Sequence, residues 1–457
     1  MASHNSPHEP QTLPAAVQAV TGTQLVSMGA VGLSDFAAKV PGLNIFNAGS
    51  NQIKLKLRGI SSASESEPQE TVGVYLDDVP ITGSGGTNNE NGASPDLGLV
   101  DMERIEVLKG PQGTLYGAGS LGGTLRYITR QPDLENFAAH IQPRFSSTEH
   151  GSWSRRVDTM LNIPLIKERL AFRVAGSVAH DAGWLDNPVS AVGVGLSPSG
   201  TGKADLNSDN NSLVRATLAF AATDKLTMRA RYMRRDYEVN GKNSIEPMGD
   251  SFQKPWAIEP YNNDTLDLGD FLMDYRFEGG TLTSSTSFLS RTTHSLQDAT
   301  KFNRTVVFTM PTAPAAGLWN DNKQEDFVQE LRYAFSMGEH VKGVNGLYYS
   351  KQNKQFTQDT PIPGLNEYLL ANNATPIPTF PTITPGINGI FPNAYQSNVP
   401  QELEQHAIFG ELTYSPIKQV DIILGGRYFF VNQQFNFQSR GLFSAPVANY
   451  RGAKGCD

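Results

Sequence analysis

Histidines and carboxylates at metal-ligand spacing are the first candidates for chemistry in this chain. His4 and His8 are four residues apart, as two ligands on one helix face would be, but the segment around them has no helical periodicity. Asp205, Asn207 and Asp209 match the start of a calcium loop, yet the next residue is asparagine where that loop requires glycine. We therefore predict no metal site.

A second candidate is the G-x-G-x-x-G pattern formed by Gly117, Gly119 and Gly122. Such a pattern binds a dinucleotide pyrophosphate when it joins a strand to a helix. Here it leads into TLRYIT, which has the composition of a strand, so we interpret the glycines as tight turns. Metalloprotease, nucleophile-elbow and Walker-type motifs are absent from the sequence. We accordingly predict no catalytic residue, no cofactor and no enzyme.

The composition of the 457-residue chain excludes several classes of protein. No run of about 18 uncharged apolar residues is present, so no transmembrane helix is expected. The net charge of -8 argues against a nucleic-acid partner. Cys456 is the only cysteine, and a single thiol cannot form a disulfide within one chain.

The first block of sequence combines one helix with short strands. Leu33, Phe36, Ala37 and Val40 follow the spacing of a helix, which Ser34 is predicted to cap and a Pro-Gly pair to end. Runs such as QIKLKLRGI, TVGVYLDDVPI and RIEVLKGP have the composition and alternation of short strands. The block is therefore predicted to be a small α+β unit.

From residue 137 onward the chain repeats a single pattern. About ten to twelve strand-like segments, each roughly ten residues long, are separated by turns. In ERLAFRVAGSVAH, SLVRATLAFAAT and DFVQELRYAF, apolar and polar residues alternate. Short turns such as TDKL and EGGT are followed by long loops such as residues 240–267 and 356–402. This sorting of the connections is typical of an antiparallel transmembrane β-barrel in contact with outer-membrane lipid.

One family resembles the first block closely. The run ERIEVLKGPQGTLYGAGSLGGTLRYITRQP, residues 103–132, resembles the closing signature of the plug domain of TonB-dependent outer-membrane receptors. Upstream, PGLNI, LRGI and VGVYLDDVP are similar to the earlier plug strands, in the same order. FVQELRYAF and AIFGELTYSPIKQVDIILGGRY resemble strands from the middle of the family's barrel. Several matches in order are far more specific than one short motif.

The resemblance implies a mainly β fold with three segments. Residues 1–12 are expected to be disordered, residues 13–132 to form the plug domain, and residues 137–457 to form the N-terminal part of the barrel. Barrels of this family have 22 strands, so the barrel is expected to be incomplete at the C-terminus. A signal peptide is absent from this sequence, and no TonB box is identifiable in residues 1–12.

The resemblance also implies a function. Such receptors reside in the bacterial outer membrane and take up a scarce solute, most often a ferric siderophore, with energy supplied by the inner-membrane protein TonB. Two alternatives remain open. The chain could be a passive or non-transporting barrel or adhesin, or it could be a non-functional truncated receptor.

Two polar loops of the plug block are the predicted ligand contacts. Residues 61–70 and 82–96 are rich in serine, glycine and asparagine, and we expect them at the extracellular apex of the plug. The side chains expected to meet the solute are Ser61, Ser64, Glu65, Glu67, Asn88, Asn89 and Glu90.

Ion pairs between plug and barrel are predicted as well. A carboxylate that faces lipid is costly, so Glu330 and Glu411 should point into the lumen. The resemblance implies that plug cations meet such glutamates, and Arg58, Arg104 and Lys109 are the candidates. In the alternative, Glu330 pairs only with a barrel-wall arginine, such as its neighbour Arg332 or Arg173.

Overall fold

The computed structural model describes most of the chain, in ten segments. These are residues 16–47, 53–60, 71–82, 94–117, 119–189, 201–241, 252–307, 312–385, 388–417 and 419–441. The N-terminal segment 1–12 lies outside them. Among the described residues, no helix has both the length and the apolar character needed to cross a membrane.

The first unit contains a five-stranded sheet, a separate hairpin and three short helices. Its elements are β1 (Ala16–Thr21), α1 (Gly22–Ser27), α2 (Leu33–Ala37), β2 (Leu43–Asn47), β3 (Ile53–Leu57), β4 (Val72–Leu76), β5 (Val79–Pro80), β6 (Met102–Lys109), α3 (Gly113–Tyr116) and β7 (Gly123–Thr129). The sheet order is β1-β6-β7-β4-β5, and β4 runs parallel to β7 while the other pairs are antiparallel. Strands β2 and β3 pair with each other.

The predicted helix and the predicted strand after the glycine pattern are both present, as α2 and β7. Helix α2 begins at Leu33, before the predicted cap Ser34. The reason is that the carboxylate of Asp35 accepts hydrogen bonds from the backbone N–H groups of Val31 and Gly32, at 2.8 and 2.9 Å. These bonds satisfy amide donors at the helix start that would otherwise lack partners.

The second unit is a large antiparallel sheet. Its long strands are β8 (Ala138–Ser147), β9 (Trp153–Ile166), β10 (Leu170–Asp181), β13 (Asp209–Ala221), β14 (Leu226–Asn240), β15 (Tyr261–Phe277), β16 (Gly280–Asp298), β17 (Gly317–Met337), β18 (Val341–Pro361), β20 (Ile390–Ile417) and β21 (Val420–Phe435). Short strands and helices lie in the connections: β11 (Asn187–Val189), β12 (Thr201–Lys203), α4 (Thr300–Phe302), a π-helical turn (Asn303–Val307), α5 (Leu365–Ala371), β19 (Thr379–Pro381) and β22 (Gln438–Gly441).

The long strands form a meander in which each pairs with its neighbours along the chain. Residues 167–169, 222–225 and 278–279 make short turns at one end of the sheet, while long connections such as 299–316 and 362–389 lie at the other. The predicted mainly β fold, with a small α+β unit before an antiparallel sheet, is therefore confirmed. Among the described strands no ladder joins β8 to β21, so the sheet is open there.

The two faces of the large sheet have the opposite polarity to those of a soluble sheet. On β13 the polar Arg215 and Thr217 are buried, whereas the apolar Val214, Leu218 and Phe220 are each about two-fifths exposed. The polar face is buried because the first unit, hereafter the plug, packs against it.

Aromatic side chains form two rows on the exposed face of the sheet. Near the short turns, Phe277 and Tyr333 have ring centroids 6.3 Å apart. Nearer the long connections, Phe327 lies 5.0 Å from Phe288 and 6.0 Å from Tyr349. Along β17, Phe327 and Tyr333 are six residues apart, which is roughly 20 Å along the strand at about 3.3 Å per residue, and roughly 15 Å along the barrel axis at a strand tilt near 40°.

Candidate functional site

The candidate functional site is the interface between the plug and the buried face of the sheet. Part of it is apolar, because Ala175, Leu213, Met233, Leu266 and Leu268 of the sheet belong to the same buried cluster as the plug core. The rest is ionic, and it consists of three plug carboxylates that meet arginines of the sheet.

Asp77 carries the first ion pair. It lies in the turn between β4 and β5 and is 4% exposed. Arg231 of β14 contacts its carboxylate and also that of Asp270 on β15. The Asp77 carboxylate accepts two further hydrogen bonds from Thr129, at 2.9 Å from the amide and 2.7 Å from the hydroxyl. One arginine thus bridges the plug and two strands of the sheet.

The surroundings of Asp77 determine which protonation state is stable. Burial by itself would raise the pKa of this carboxyl group. The guanidinium groups of Arg231 and Arg229, together with the hydrogen bonds from Thr129, outweigh burial and hold the pKa below its usual value. The carboxylate is therefore charged at neutral pH, as the ion pair requires.

Asp101 carries the second ion pair. Its carboxylate binds the guanidinium of Arg173 on β10 with two bonds, from Nε at 2.7 Å and from Nη2 at 2.6 Å. Arg215 of β13 donates to the backbone carbonyls of Val100 and Asp101, at 2.9 and 3.0 Å. Two neighbouring strands therefore hold this turn of the plug, and both arginines are buried.

Asp78 carries the third ion pair. Its carboxylate lies 2.7 Å from Nη2 of Arg332 on β17, and Nη1 of the same arginine lies 3.1 Å from the carboxylate of Glu330. All three side chains are mostly buried. Because Arg173, Arg231 and Arg332 lie near the short-turn ends of their strands, the three ion pairs form a partial ring close to that end of the sheet.

The structure gives the predicted plug cations other partners. Arg104 pairs within the plug, with Glu106 at 2.7 Å. Lys109 donates to the side-chain oxygen of Gln18 on β1, at 3.0 Å. Arg58 is exposed and forms no ion pair with any residue that the structure describes.

The predicted sheet glutamates also differ from expectation. Glu330 does face the plug, but it pairs with Arg332, which is the alternative considered from the sequence. Glu411 is half-buried on β20 and has no ion pair within the described part of the chain. The prediction therefore assigned the charges to the wrong sides of the interface. In the structure the sheet supplies the cations and the plug supplies the carboxylates. A long guanidinium group can reach across the interface and bind a carboxylate with two N–H donors, whereas a glutamate cannot donate at all.

The predicted ligand contacts, Ser61 to Glu67 and Asn88 to Glu90, lie outside the described residues. Only the residues that flank them can be placed. Thr71 precedes β4 and Thr82 follows β5, so both lie at the end of this hairpin opposite the Asp77 and Asp78 turn. The described residues that flank the predicted ligand contacts therefore lie on the side of the plug away from the ion-pair ring.

Sequence reasoning missed the anchoring carboxylates Asp77, Asp78 and Asp101. A usable signal was present. Two adjacent acids follow the apolar strand VGVYL, and arginines recur on the polar face of the alternating strands β10, β13 and β14. A row of arginines on a face that becomes buried on folding requires carboxylates on the unit that packs against that face.

Comparison with known proteins places these observations in a family. Residues 9–124 match the family model described as TonB-dependent Receptor Plug Domain. The chain is 34% identical over 115 residues to the pesticin receptor of Yersinia pestis, which is 25% of this chain and 16% of that receptor. It is 28% identical over 213 residues to the probable TonB-dependent siderophore receptor PirA of Acinetobacter baumannii, covering 43% of this chain and 26% of PirA.

Solved structures extend the likeness over the large sheet. The ferric yersiniabactin uptake receptor FyuA from Yersinia pestis superposes with a TM-score of 0.74 at 20% sequence identity, over 97% of this chain and 60% of FyuA. At that identity the superposition establishes the fold alone. Residues 9–124 thus match the plug domain of TonB-dependent receptors, and the sheet that follows has the fold of these receptors' barrels. The chain spans about three-fifths of FyuA's length.

Proposed function

We propose that this protein is an outer-membrane receptor that takes up a ferric siderophore with energy supplied by TonB. The observation that carries the proposal is the plug, which is fixed against the inner face of the sheet by three buried ion pairs. A lumen filled in this way does not conduct a large solute at rest. Uptake then needs an external partner that moves the plug.

The names of the relatives support the choice of solute. PirA is described as a probable siderophore receptor and FyuA as a ferric yersiniabactin uptake receptor. In this protein we assign solute contact to the plug residues Ser61, Ser64, Glu65, Glu67, Asn88, Asn89 and Glu90. Their flanking residues lie away from the ion-pair ring, on the side of the long connections.

The exposed face of the sheet supports a place in the outer membrane. Its two aromatic rows flank an apolar zone, as the interfacial girdles of transmembrane barrels flank their apolar band. Leu218, Leu331 and Leu347 lie on this face and are 39%, 39% and 55% exposed. Lipid would cover such side chains, whereas water would leave them unfavourably solvated.

The proposal is tested by uptake of radiolabelled ferric siderophores into a host that lacks its own receptors. We expect uptake of at least one ferric siderophore, such as ferric yersiniabactin, and its loss when TonB is deleted. Glu65→Gln and Glu67→Gln should lower uptake. The control is Glu135→Gln, an exposed glutamate in the segment between the plug and β8, near the short turns, which should leave uptake unchanged.

The rival function, a passive barrel or adhesin, gives different results in the same assay. Solute entry that is equal with and without TonB would favour a passive barrel. Cell attachment without any uptake would favour an adhesin. The buried ion pairs disfavour the passive alternative, because they close the lumen on the side where they lie.

A further inference from the structure

The exposed face of the sheet carries a groove near the long connections. The groove has a volume of about 450 Å³ and crosses β8, β9, β10, β13 and β14. Its apolar lining includes Phe145, Val157 and Val178, which are 74%, 38% and 67% exposed. Strands β9, β10, β13 and β14 each pair with a neighbour on both sides. Most of the groove therefore lies on the interior of the sheet, away from its open edges.

A row of larger and more polar side chains borders the groove toward the long connections. Strand register places five outward-facing residues side by side on consecutive strands: Phe145, Arg155, His180, Asn210 and Glu238. Nδ1 of His180 lies 2.9 Å from Oδ1 of Asn210, and this contact orients the imidazole ring. Arg155 and His180 are direct cross-strand neighbours, so two basic side chains stand together at one end of the row.

The guanidinium group of Arg155 lacks an acidic partner. Arg155 is exposed and forms no ion pair with any residue that the structure describes. By contrast, Arg234 on the same face binds Asp236 at 2.9 Å and Asp267 at 3.3 Å. Glu238 is three strand spacings from Arg155, roughly 14 Å, which is too far for an ion pair. Arg155 is therefore available to an anion from outside the chain.

The position of Arg155 along β9 indicates which anions it meets. Trp153 is 70% exposed and is the next outward-facing residue toward the long connections. Toward the short turns the outward-facing side chains of β9 include Val157 and Leu161. Tryptophan is enriched where a membrane meets water, and lipid headgroups lie at the same depth. The anions at this depth are lipid phosphates, and the groove beside Arg155 faces the acyl chains.

We propose that this groove binds an anionic lipid, with the headgroup phosphate on Arg155 and one acyl chain along Phe145, Val157 and Val178. The planar guanidinium group presents paired N–H donors that match two phosphate oxygens. The acyl chain removes the three apolar side chains from other surroundings and fills the groove. The inference rests on the membrane location in the proposed function, but it requires neither a siderophore nor TonB.

The test is quenching of Trp153 fluorescence by brominated lipids in phosphatidylcholine vesicles that contain the full-length protein. Trp153 is two residues from Arg155, so the quenching that is lost in Trp153→Phe reports on lipid beside the groove. At equal mole fraction, brominated phosphatidylglycerol should quench this signal several-fold more efficiently than brominated phosphatidylcholine. Arg155→Gln should make the two lipids equally efficient.

Arg234→Gln is the matched control, because Arg234 is an outward-facing arginine that already has acidic partners. It should leave the preference for phosphatidylglycerol unchanged. Equal quenching by the two lipids in the parent, or a preference that survives in Arg155→Gln, would overturn the proposal. Quenching by neither lipid would overturn the membrane location as well, so failure of the lipid site and failure of the proposed function are distinguishable.

A soluble competitor separates binding of a whole lipid from binding of phosphate alone. Glycerol 3-phosphate carries the headgroup phosphate but has no acyl chain to fill the groove. At millimolar concentration it should leave the preference for phosphatidylglycerol unchanged. Loss of the preference would mean that Arg155 binds any phosphate and that the groove takes no part, which would contradict the lipid site proposed here.

Discussion

At the scale of single residues, the interface depends on arginine rather than on positive charge alone. Arg231 binds two carboxylates, and Arg215 donates hydrogen bonds to two backbone carbonyl oxygens. A guanidinium group has five N–H donors in a fixed plane, so one side chain can join several acceptors while remaining buried. A lysine at position 231 has one donor nitrogen, so it could not contact the two carboxylates through separate nitrogens as Arg231 does.

Replacing Arg231 should therefore destabilise the plug strongly. Arg231→Ala leaves the buried carboxylates of Asp77 and Asp270 without their main partner, and we expect a loss of about 3–5 kcal/mol in the free energy of unfolding. The measurement is urea denaturation followed by proteolysis of the plug. Arg234→Ala is the control on the same strand, since Arg234 is half-exposed and exposed ion pairs such as those it makes with Asp236 and Asp267 stabilise little.

Asp77 should also make the stability of the plug depend on pH. Its folded pKa is lower than the value of about 3.9 expected for the unfolded chain. The carboxylate therefore stabilises the folded state at pH above about 4, and this contribution is lost as the pH falls through the folded pKa. The difference in unfolding free energy between the parent and Asp77→Asn should be largest at neutral pH and shrink below pH 4. A difference that stays constant from pH 7 to pH 3 would contradict this account.

At the scale of the elements, each long strand has one face for the plug and one face for an apolar surrounding. The alternation along β18 illustrates this, because Val344 is buried against the plug side while Leu347 is 55% exposed. A strand of a soluble sheet would place the leucine inward. The inverted pattern, repeated along the meander, is what makes the exposed face suited to lipid.

A charge on that face should be tolerated at the edge of the apolar zone but not at its centre. Leu347→Arg lies between the two aromatic rows, and we expect it to cost about 2–4 kcal/mol on insertion into a bilayer. Met337→Arg lies at the short-turn end of β17, where the methionine is 67% exposed against 55% for Leu347, and should cost about 0–1 kcal/mol. The folded fraction of each variant in phospholipid vesicles under a urea gradient measures the difference. Equal insertion free energies for Leu347→Arg and Met337→Arg would contradict the prediction that the zone between the two aromatic rows is the part embedded in the bilayer.

At the scale of the whole molecule, the long connections pack on one another as well as on the sheet. Asn187 exchanges two hydrogen bonds with Trp256, and the hydroxyl groups of Thr312 and Tyr368 lie 2.6 Å apart. Asp359 is completely buried and joins the β18–β20 connection to the top of the sheet. The loops therefore form a second folded layer at the opposite end of the sheet from the ion-pair ring.

Because the two layers are far apart, they should respond to substitution independently. The Asp359 carboxylate accepts hydrogen bonds from Ile383, Thr384 and Asn393 at 2.6 to 3.0 Å, and Gln396 is a further donor. Asp359→Asn replaces one acceptor oxygen with a donor and should speed amide hydrogen exchange in residues 362–385. Exchange in β4, β6 and β7 of the plug should not change, since distant sites are additive. Faster exchange in both layers would mean that they unfold as one unit.

The sequence by itself determined the elements and their order. Alternation predicts which residues of a strand share a face, because successive side chains point to opposite sides. Helix α2, the strand after the glycine pattern, and the sorting of short turns and long loops all followed from local rules of this kind. The ordered plug motifs identified the family before any contact was known.

Only the tertiary structure decided which charges meet across the interface. Alternation places Glu330 and Arg332 on the inner face but does not say which of them touches the plug. That choice depends on how the plug as a rigid body sits within the sheet, and on side-chain reach over a few ångströms. In the structure the longer guanidinium group meets Asp78, and Glu330 becomes its second partner. This pairing joins residues 254 positions apart, so no local pattern in the chain encodes it.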